Sequence, residues 1–395
     1  MTEQIGQYVG LQTPAGVINL ALGQPAPSLL PLAPISRAAK RLADADRLLL
    51  QYGKGPGFHD FRVSLARFLS AGHGVEIPPE EVVASGAISL SLSLVADVFA
   101  RRGGVIVVED PTYFLASGIF TSSGIEMVRV PVDADGLRVD ELRRRMDAGL
   151  RVDLVYTIPS FHNPTGVCLS AERREALIAL AVERDFIIAA DEPYNLLYFD
   201  KERPVPMASL DAGRERVLSI SSFTKILAPG LRLGWLQGAP ALLRRFMQHG
   251  TLTSGGALNP VMAYVVQGVI DSGELAAHIA HLRDQLGRRC AALCAAIEAD
   301  LPEVTFSVPA GGYFVWVTFP EGVSTAQLLR DAEPLDVRFT PGRRCGDGAD
   351  FDRSMRLSFA FYDDDELREG VRRIARAWRS APARQRGAGA ASTHG

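Results

Sequence analysis

The amino-acid sequence predicts an α/β protein: a mainly parallel sheet covered by helices on both faces, with a smaller α+β domain. Short apolar runs alternate with helical patterns through the middle of the 395-residue chain. Strands that are buried on both faces and separated by helices are typical of parallel sheets. The last third changes to one long helical pattern and two strand-like runs, which indicates the second domain.

The strands of the parallel sheet are predicted from four apolar runs that each end in polar residues. These runs are "RRGGVIVVEDPTY" (101–113), "RVDLVYTIPSFHNPTG" (151–166), "DFIIAADEPY" (185–194) and "RVLSISSFTK" (216–225). Between the second and third, "SAERREALIALAVER" (170–184) predicts a helix with Ser170 as its N-cap. Ligands of such sheets bind at the carboxyl ends of the strands, where all four polar clusters fall.

The smaller domain is predicted from a long helical pattern at 271–301, followed by strand-like runs at 312–319 and 353–361. The tail is small and polar and has little to bury, so we expect it to be disordered. The expected division is an N-terminal segment of the small domain at 1–45, a large domain at 46–272, a C-terminal small domain at 273–379 and the tail at 380–395.

Composition and charge limit the classes of function. The formal net charge of −3 gives no general attraction for nucleic acid or an anionic membrane. The N-terminus lacks a signal-peptide pattern, and no segment approaches the roughly 18 apolar residues of a membrane span, so we expect a cytoplasmic protein. Four scattered cysteines suit a reducing compartment. Cys290 and Cys294 would share a helix face, but no histidine pair flanks them; we expect buried small hydrophobes and no metal site.

The stretch "SSFTKILAPGLRLGW" (221–235) raises the question of what Lys225 does. Most lysines are solvated, because burying an unpaired ammonium is costly. The neighbours of Lys225 are mostly apolar, however, and "RVLSISS" before it predicts a buried strand. A lysine in such surroundings tends to lose its proton, and a neutral amine attacks carbonyl groups.

A buried amine that forms a Schiff base suggests pyridoxal phosphate, whose ring nitrogen needs a carboxylate and whose phosphate needs donors. Asp191 directly follows "FIIAA" and could pair with a protonated ring nitrogen, although a helix cap or a surface ion pair is an alternative. Asn163 and Tyr194 could donate to the phenolic oxygen of the cofactor; Asn-Pro is also an ordinary turn signal. Tyr113 could stack on the ring or simply pack in the core.

The phosphate of such a cofactor has candidate donors in two places. Arg232 and Ser222 flank Lys225 and offer a permanent charge and a hydroxyl. The segment 84–99 begins with a small-residue turn and continues as a helix, whose N-terminus could bind an anion or be only a turn. The backbone N–H groups concerned are those of Gly86, Ala87 and Ile88.

Three motifs in this order, "NPTG" (163–166), "DEPY" (191–194) and "SSFTKILAPGLRLGW" (221–235), resemble the fold-type I, class I and II pyridoxal phosphate-dependent aminotransferases. The resemblance extends over nearly the whole chain and is nearest to the 2-aminoadipate, kynurenine, aromatic and branched-chain branch. Further matching segments are 18–31, 51–69, 309–317 and 355–360.

The resemblance implies roles for the candidate residues and an aspartate-aminotransferase-like fold. Lys225 would bind the cofactor and move the Cα proton, and Asp191 would keep the ring nitrogen protonated. Asn163 and Tyr194 would bind the ring oxygen, and Tyr113 would stack on the ring. The implied phosphate ligands are Gly86, Ala87, Ile88, Ser222 and Arg232. The implied reaction is transamination of an L-amino acid to its 2-oxo acid, with 2-oxoglutarate or a similar oxo acid as acceptor.

The resemblance also implies a homodimer with the active site at the subunit interface, where Tyr52 would reach the phosphate of the neighbouring subunit. Gly23, Asn163 and Arg356 would contact the substrate, Arg356 through the α-carboxylate. Strand alternation supports Arg356 independently, because Met355 and Leu357 take the other face. A solvated arginine is the alternative.

Two departures leave the reaction open. Close relatives have a hydroxyl and two glutamines where this chain has Ala87, Ile88 and Ser89, and glutamine where it has His162. A pyridoxal phosphate-dependent lyase or oxidase on the same scaffold is therefore an alternative. A non-catalytic alternative is the effector-binding module of a transcription regulator. The likeness begins by residue 18, so we expect no added DNA-binding domain. The sequence does not identify the amino donor.

Overall fold

The computed structural model describes residues 13–380 except for residues 54, 101, 201 and 257. The tail that the sequence predicts to be disordered lies, from residue 381 onward, outside the described residues. The chain forms two compact units, one of residues 24–285 with 309–312 and the other, within the described part, of residues 13–23, 286–308 and 313–380. Residues 24–45 thus group with the larger unit.

The strands alternate with helices through the larger unit. The strands are β1 (Ile18–Asn19), β2 (Val82–Ser85), β3 (Val105–Asp110), β4 (Glu126–Asp133), β5 (Gly136–Leu137), β6 (Leu154–Thr157), β7 (Ile187–Asp191), β8 (Val217–Ser222), β9 (Gly234–Gly238), β10 (Thr305–Phe306), β11 (Phe314–Thr318), β12 (Val337–Arg338), β13 (Thr340–Pro341) and β14 (Ser354–Ser358). The α-helices are α1 (Leu32–Lys40), α2 (His59–His73), α3 (Ile88–Phe99), α4 (Phe114–Ser122), α5 (Val139–Asp147), α6 (Ala171–Arg184), α7 (Pro240–Met247), α8 (Gly250–Gly255), α9 (Pro260–Asp271), α10 (Glu274–Asp300), α11 (Thr325–Ala332) and α12 (Asp364–Ser380).

The large sheet has the strand order β2-β9-β8-β7-β6-β3-β4-β5. Its five central strands, from β8 to β4, run parallel, which confirms the mainly parallel sheet that the sequence predicts. Strand β9 pairs antiparallel with both β8 and β2, and β5 pairs antiparallel with β4. All four predicted runs lie among the parallel strands, so their carboxyl ends meet at one edge.

The two faces of this sheet pack into separate hydrophobic clusters. Ile106 and Val108 of β3 face one cluster, which also takes in side chains of α3, α4 and α7. Val107, between them, faces the other cluster with side chains of α5 and α6. Burying each such side chain contributes on the order of 1.5–3 kcal/mol. A sheet covered on both faces requires the continuous apolar runs that the sequence contains.

Helix α6 begins where the sequence predicts. Ser170 is its N-cap, and the Ser170 hydroxyl accepts a hydrogen bond from the Arg173 N–H at 3.3 Å. The helix ends at Asp185, a C-cap in the left-handed region with φ of 58°. This helix connects β6 to β7 and so fixes the distance along the chain between two of the polar strand ends.

The smaller unit contains a four-stranded antiparallel sheet with the order β10-β11-β14-β13, and a parallel pair of β1 with β12. The predicted long helix is α10, whose second half belongs to this unit. Cys290 and Cys294 on α10 are buried, as is Cys345, whereas Cys168 is exposed. Among the described residues, no helix combines the length and apolar character that a membrane span needs.

Candidate active site

The carboxyl ends of β7 and β8 bring Asp191 and Lys225 to the same edge of the large sheet. Asp191 is the last residue of β7, and Lys225 lies in the turn three residues after β8. The charge on Lys225 lowers the pKa of Asp191, which reflects how near the two groups are. Lys225 itself is half-buried, although Phe223 and Ile226 beside it are buried. The expectation of a buried amine is therefore corrected: the apolar neighbours of Lys225 pack in the core, whereas the lysine itself is only half-buried.

Asp191 is a buried carboxylate with one oxygen bound and one oxygen unsatisfied. Its side chain is 3% exposed. Oδ2 accepts a hydrogen bond from the Tyr156 hydroxyl at 2.8 Å, and Oδ1 has no hydrogen-bond partner within the described part of the chain. Burial raises the pKa of Asp191 to about 7, with the carboxylates of Glu192 and Glu109 adding to the rise; the Tyr156 hydrogen bond and Lys225 oppose it. Such a group calls for a cationic donor at Oδ1.

Tyr156 is a site residue that the sequence reasoning missed. Burial raises the pKa of Tyr156 well above its ordinary value, so the hydroxyl stays a donor to Asp191. Its ring packs edge-on against Phe120, with the ring centroids 5.4 Å apart. The signal was present: a tyrosine inside an apolar strand needs a partner for its hydroxyl.

Asn163, Tyr194 and Tyr113 follow three neighbouring parallel strands. Asn163 and Tyr194 are buried and lie beyond the ends of β6 and β7. Tyr113 lies beyond β3, immediately before α4, and is half-buried against the hydrophobic cluster on that face of the sheet. The structure thus gathers all three at the edge that holds Asp191.

Helix α3, whose N-terminus is the candidate anion site, begins where the sequence predicts. Ala87 is the N-cap, and among the residues that the structure describes no side chain caps the helix. The preceding Gly86 packs against β9: a side chain at Gly234 would lie 2.6 Å from the Gly86 carbonyl and 2.5 Å from that of Ser221. Only glycine at position 234 allows this close approach of the turn to the sheet. The first-turn backbone of α3, including Ile88, is therefore held at the strand ends.

Ser222 and Arg232 lie on either side of the Lys225 turn. The Ser222 hydroxyl lies 2.6 Å from Thr224 Oγ1, accepts the Thr224 N–H at 2.9 Å and donates to the Leu233 carbonyl at 3.2 Å. The Arg232 side chain is exposed, and its backbone is left-handed, with φ of 49°. Asn259 Nδ2 donates to the Leu231 carbonyl at 2.8 Å and to the Arg232 carbonyl at 3.3 Å, which holds that strained backbone. The sequence reasoning did not anticipate Asn259.

Tyr52 stands apart from the other candidates of the larger unit, because its side chain is 88% exposed. A large aromatic side chain with that exposure makes little contact within its own chain.

The two candidates of the smaller unit, Gly23 and Arg356, come together around Phe314. Arg356 on β14 is 3% exposed, which excludes the solvated alternative. Its Nη2 donates to the Ala21 carbonyl at 2.9 Å and to Thr340 Oγ1 at 3.3 Å. Its guanidinium carbon lies 4.1 Å from the centroid of the Phe314 ring. A side chain at Gly23 would lie 3.0 Å from the tip of the same ring.

The strand ends of this parallel sheet gather a lysine, a buried carboxylate and a helix N-terminus, which are the groups that an enzyme acting through a phosphorylated carbonyl cofactor requires. The family model described as aminotransferase class I and II matches residues 15–374, so the chain belongs to this family of fold-type I, pyridoxal phosphate-dependent aminotransferases.

Named relatives identify the branch. The chain is 33% identical to aromatic-amino-acid aminotransferase 1 of Thermococcus litoralis, over 94% of this chain and 90% of that protein. It is 30% identical to the 2-aminoadipate transaminase of Thermus thermophilus, over 94% and 93%. A crystal structure of kynurenine aminotransferase from Pyrococcus horikoshii, determined with PMP, is similar with a TM-score of 0.85 and 31% identity, covering 95% of this chain and 94% of that one. The predicted branch is confirmed.

Proposed function

We propose that the protein uses pyridoxal phosphate to transfer the amino group of an L-amino acid to a 2-oxo acid, with 2-oxoglutarate or a similar compound as acceptor. The observation that carries this proposal is the unsatisfied Oδ1 of Asp191 at the strand edge that also holds Lys225. Family membership and the relative crystallised with PMP add support.

The residues present fit the cofactor. Asp191 would pair Oδ1 with the protonated ring nitrogen, while Tyr156 keeps Oδ2 in place. Asn163 and Tyr194 would donate to the ring oxygen, and Tyr113 would cover one ring face. The phosphate would be held by Gly86, Ala87, Ile88, Ser222 and Arg232. When bound, the group supplies an aldehyde and an electron sink for negative charge on the substrate Cα.

Lys225 has two tasks in this proposal. Its amine would hold the cofactor through the carbonyl group and, when free, would take the proton from the substrate Cα. Lys225 lies in a turn between buried Phe223 and Ile226, which limits where the amine can reach. The same amine would then hold that proton and could return it.

Arg356 would bind the substrate carboxylate, and Gly23 would leave room beside it. The guanidinium presents donors in a fixed plane that suits a carboxylate. Its hydrogen bonds to Ala21 and Thr340, together with the Phe314 ring, restrict it to one orientation. We also propose a homodimer in which Tyr52, with its exposed side chain, reaches the phosphate held by a second copy of the chain.

A panel of L-amino acids tests the proposed reaction. Each is mixed with the loaded protein and 2-oxoglutarate, and released oxo acid, glutamate and ammonia are all quantified. We expect oxo acid and glutamate in equal amounts for at least one donor, and none without acceptor beyond a single turnover. Steady release of ammonia independent of the acceptor would instead establish the lyase or oxidase alternative.

A further inference from the structure

A second buried cluster lies beside Asp191 and has no part in the proposed reaction. Glu109, near the end of β3, and His162, just beyond β6, are each 1% exposed. Glu109 Oε1 accepts a hydrogen bond from the Thr157 hydroxyl at 2.6 Å, and Oε2 accepts one from the Ile158 N–H at 2.9 Å. His162 Nε2 lies 3.0 Å from Glu109 Oε2.

The contacts of the other ring nitrogen favour one tautomer. His162 Nδ1 lies 2.8 Å from Thr165 Oγ1 and accepts the Thr165 N–H at 3.4 Å. Because Nδ1 acts as the acceptor, the ring proton belongs on Nε2, the atom next to Glu109. That contact is close but poorly aligned, so Nε2 has no hydrogen bond of ordinary geometry within the described chain. A carboxylate this deeply buried requires such donors.

The cluster touches the reaction centre on two sides. His162 immediately precedes Asn163, and its backbone closes the turn: the His162 N–H donates to the Val167 carbonyl at 2.8 Å, and the Gly166 N–H donates to the His162 carbonyl at 2.6 Å. Thr157, which binds Glu109, immediately follows Tyr156, which binds Asp191. A shift of the imidazole would therefore move the turn that carries Asn163.

We propose that His162 is a positioning residue, clamped between the Glu109 carboxylate and Thr165, that holds the 162–166 turn against strand β3 and so fixes Asn163 relative to Asp191. This inference rests on the proposed function. It explains how this chain tolerates histidine at a position where, by resemblance, close relatives have glutamine: an imidazole with Nε2–H and an acceptor Nδ1 supplies the same donor and acceptor pair as an amide.

A second buried histidine, His73, provides a control for the substitution of His162. His73 is also buried, with Nδ1 bound to the Pro204 carbonyl at 2.9 Å, and burial lowers its pKa to about 4. Its Nδ1 hydrogen bond joins helix α2 to Pro204 and not to the 162–166 turn. His73→Gln therefore reports the cost of altering a buried histidine without moving the 162–166 turn.

The test compares His162→Leu, His162→Gln and His73→Gln as full-length proteins. For each, the dissociation constant of pyridoxal phosphate is measured by fluorescence, kcat and KM by oxo acid release, and Tm for the apo-protein. We expect His162→Leu to weaken cofactor binding about tenfold, since leucine removes the Nδ1 acceptor of the Thr165 N–H and the polar contact with Glu109. It should lower kcat while changing the amino-acid KM less than about twofold. His162→Gln should restore most of the cofactor affinity and most of kcat. His73→Gln should lower only Tm.

Three results would overturn the inference. The first is that His162→Leu keeps the cofactor affinity and kcat of the wild type, and the second is that His162→Gln loses as much of both as His162→Leu does. The third is that the losses in cofactor affinity and kcat are in proportion to the drop in Tm, as in His73→Gln. A separate readout does not need the cofactor. The ¹⁵N spectrum of histidine-labelled apo-protein, with His162 assigned from the His162→Gln variant, should show the Nε2–H tautomer, and an Nδ1–H tautomer would contradict the clamp. If the wild type binds no pyridoxal phosphate at all, the proposed function fails, and the role given to His162 fails with it; the tautomer still shows whether the clamp exists.

Discussion

Replacing Asp191 by asparagine should make the apo-protein more stable and the loaded enzyme inactive. The carboxylate is buried with Oδ1 unsatisfied, and its pKa lies at about 7 in the folded protein against an ordinary 3.8. A difference of about 3 pKa units corresponds to about 4 kcal/mol of destabilisation once the group is ionised. Asparagine removes the charge and keeps an acceptor for the Tyr156 hydroxyl.

The sign of the pH dependence follows from the raised pKa. Between pH 4 and pH 7 the folded state holds a proton on Asp191 that the unfolded state has released, so the stability of the wild type falls as pH rises. Above pH 7 both states are ionised and the dependence ends. Between pH 5 and pH 8 the wild-type apo-protein should lose about 3 kcal/mol relative to Asp191→Asn.

Urea denaturation of the two apo-proteins at pH 5 and pH 8 measures this difference. Asp284→Asn, an exposed change on α10, is the matched control and should differ from the wild type equally at both pH values. If the free energies of unfolding of wild type and Asp191→Asn change by the same amount between pH 5 and pH 8, the reasoning is refuted. Ionising the buried carboxylate would then have no free-energy cost. The loaded Asp191→Asn protein should also retain cofactor less tightly.

Three further substitutions test the other roles. Lys225→Ala should keep the fold and bind cofactor non-covalently, and turnover should fall by several orders of magnitude because the covalent anchor and the base are lost together. Borohydride should fix cofactor to the wild type and not to this variant. Arg356→Ala should lower kcat/KM for amino acids about hundredfold through KM, since a charge-assisted pair with the carboxylate is lost. Ala87→Ser should tighten cofactor binding about fivefold by adding one hydrogen bond worth on the order of 1 kcal/mol at the phosphate.

Each of these has an outcome that contradicts it. Borohydride labelling of another lysine would show that Lys225 is not the anchor. Equal losses in Arg356→Ala for amino acids and for simple amines, which lack the carboxylate, would remove its proposed contact. Unchanged or weaker cofactor retention in Ala87→Ser, measured by dialysis and reconstitution, would place the phosphate elsewhere.

The sequence by itself determined which strand ends carry the chemistry. Asp191 and Lys225 each follow an apolar run of strand length, and these two runs are consecutive predicted strands. Parallel neighbours end at the same edge of a sheet whatever their exact register, so local pattern alone predicts that the two side chains come close. The same local reasoning located the N-terminus of α3 and the Ser170 cap.

Only the tertiary structure decided which groups hydrogen-bond to the buried polar side chains. Tyr156 reaches Asp191 because β6 pairs with β7 in the register that sets Tyr156 opposite Ala189, two residues before Asp191 on the same face. Glu109 meets Thr157 because β3 inserts beside β6, out of chain order. Strand order and register depend on how all the apolar faces pack together, which no single stretch encodes. The half-burial of Lys225 and the depth of Arg356 follow from the same packing.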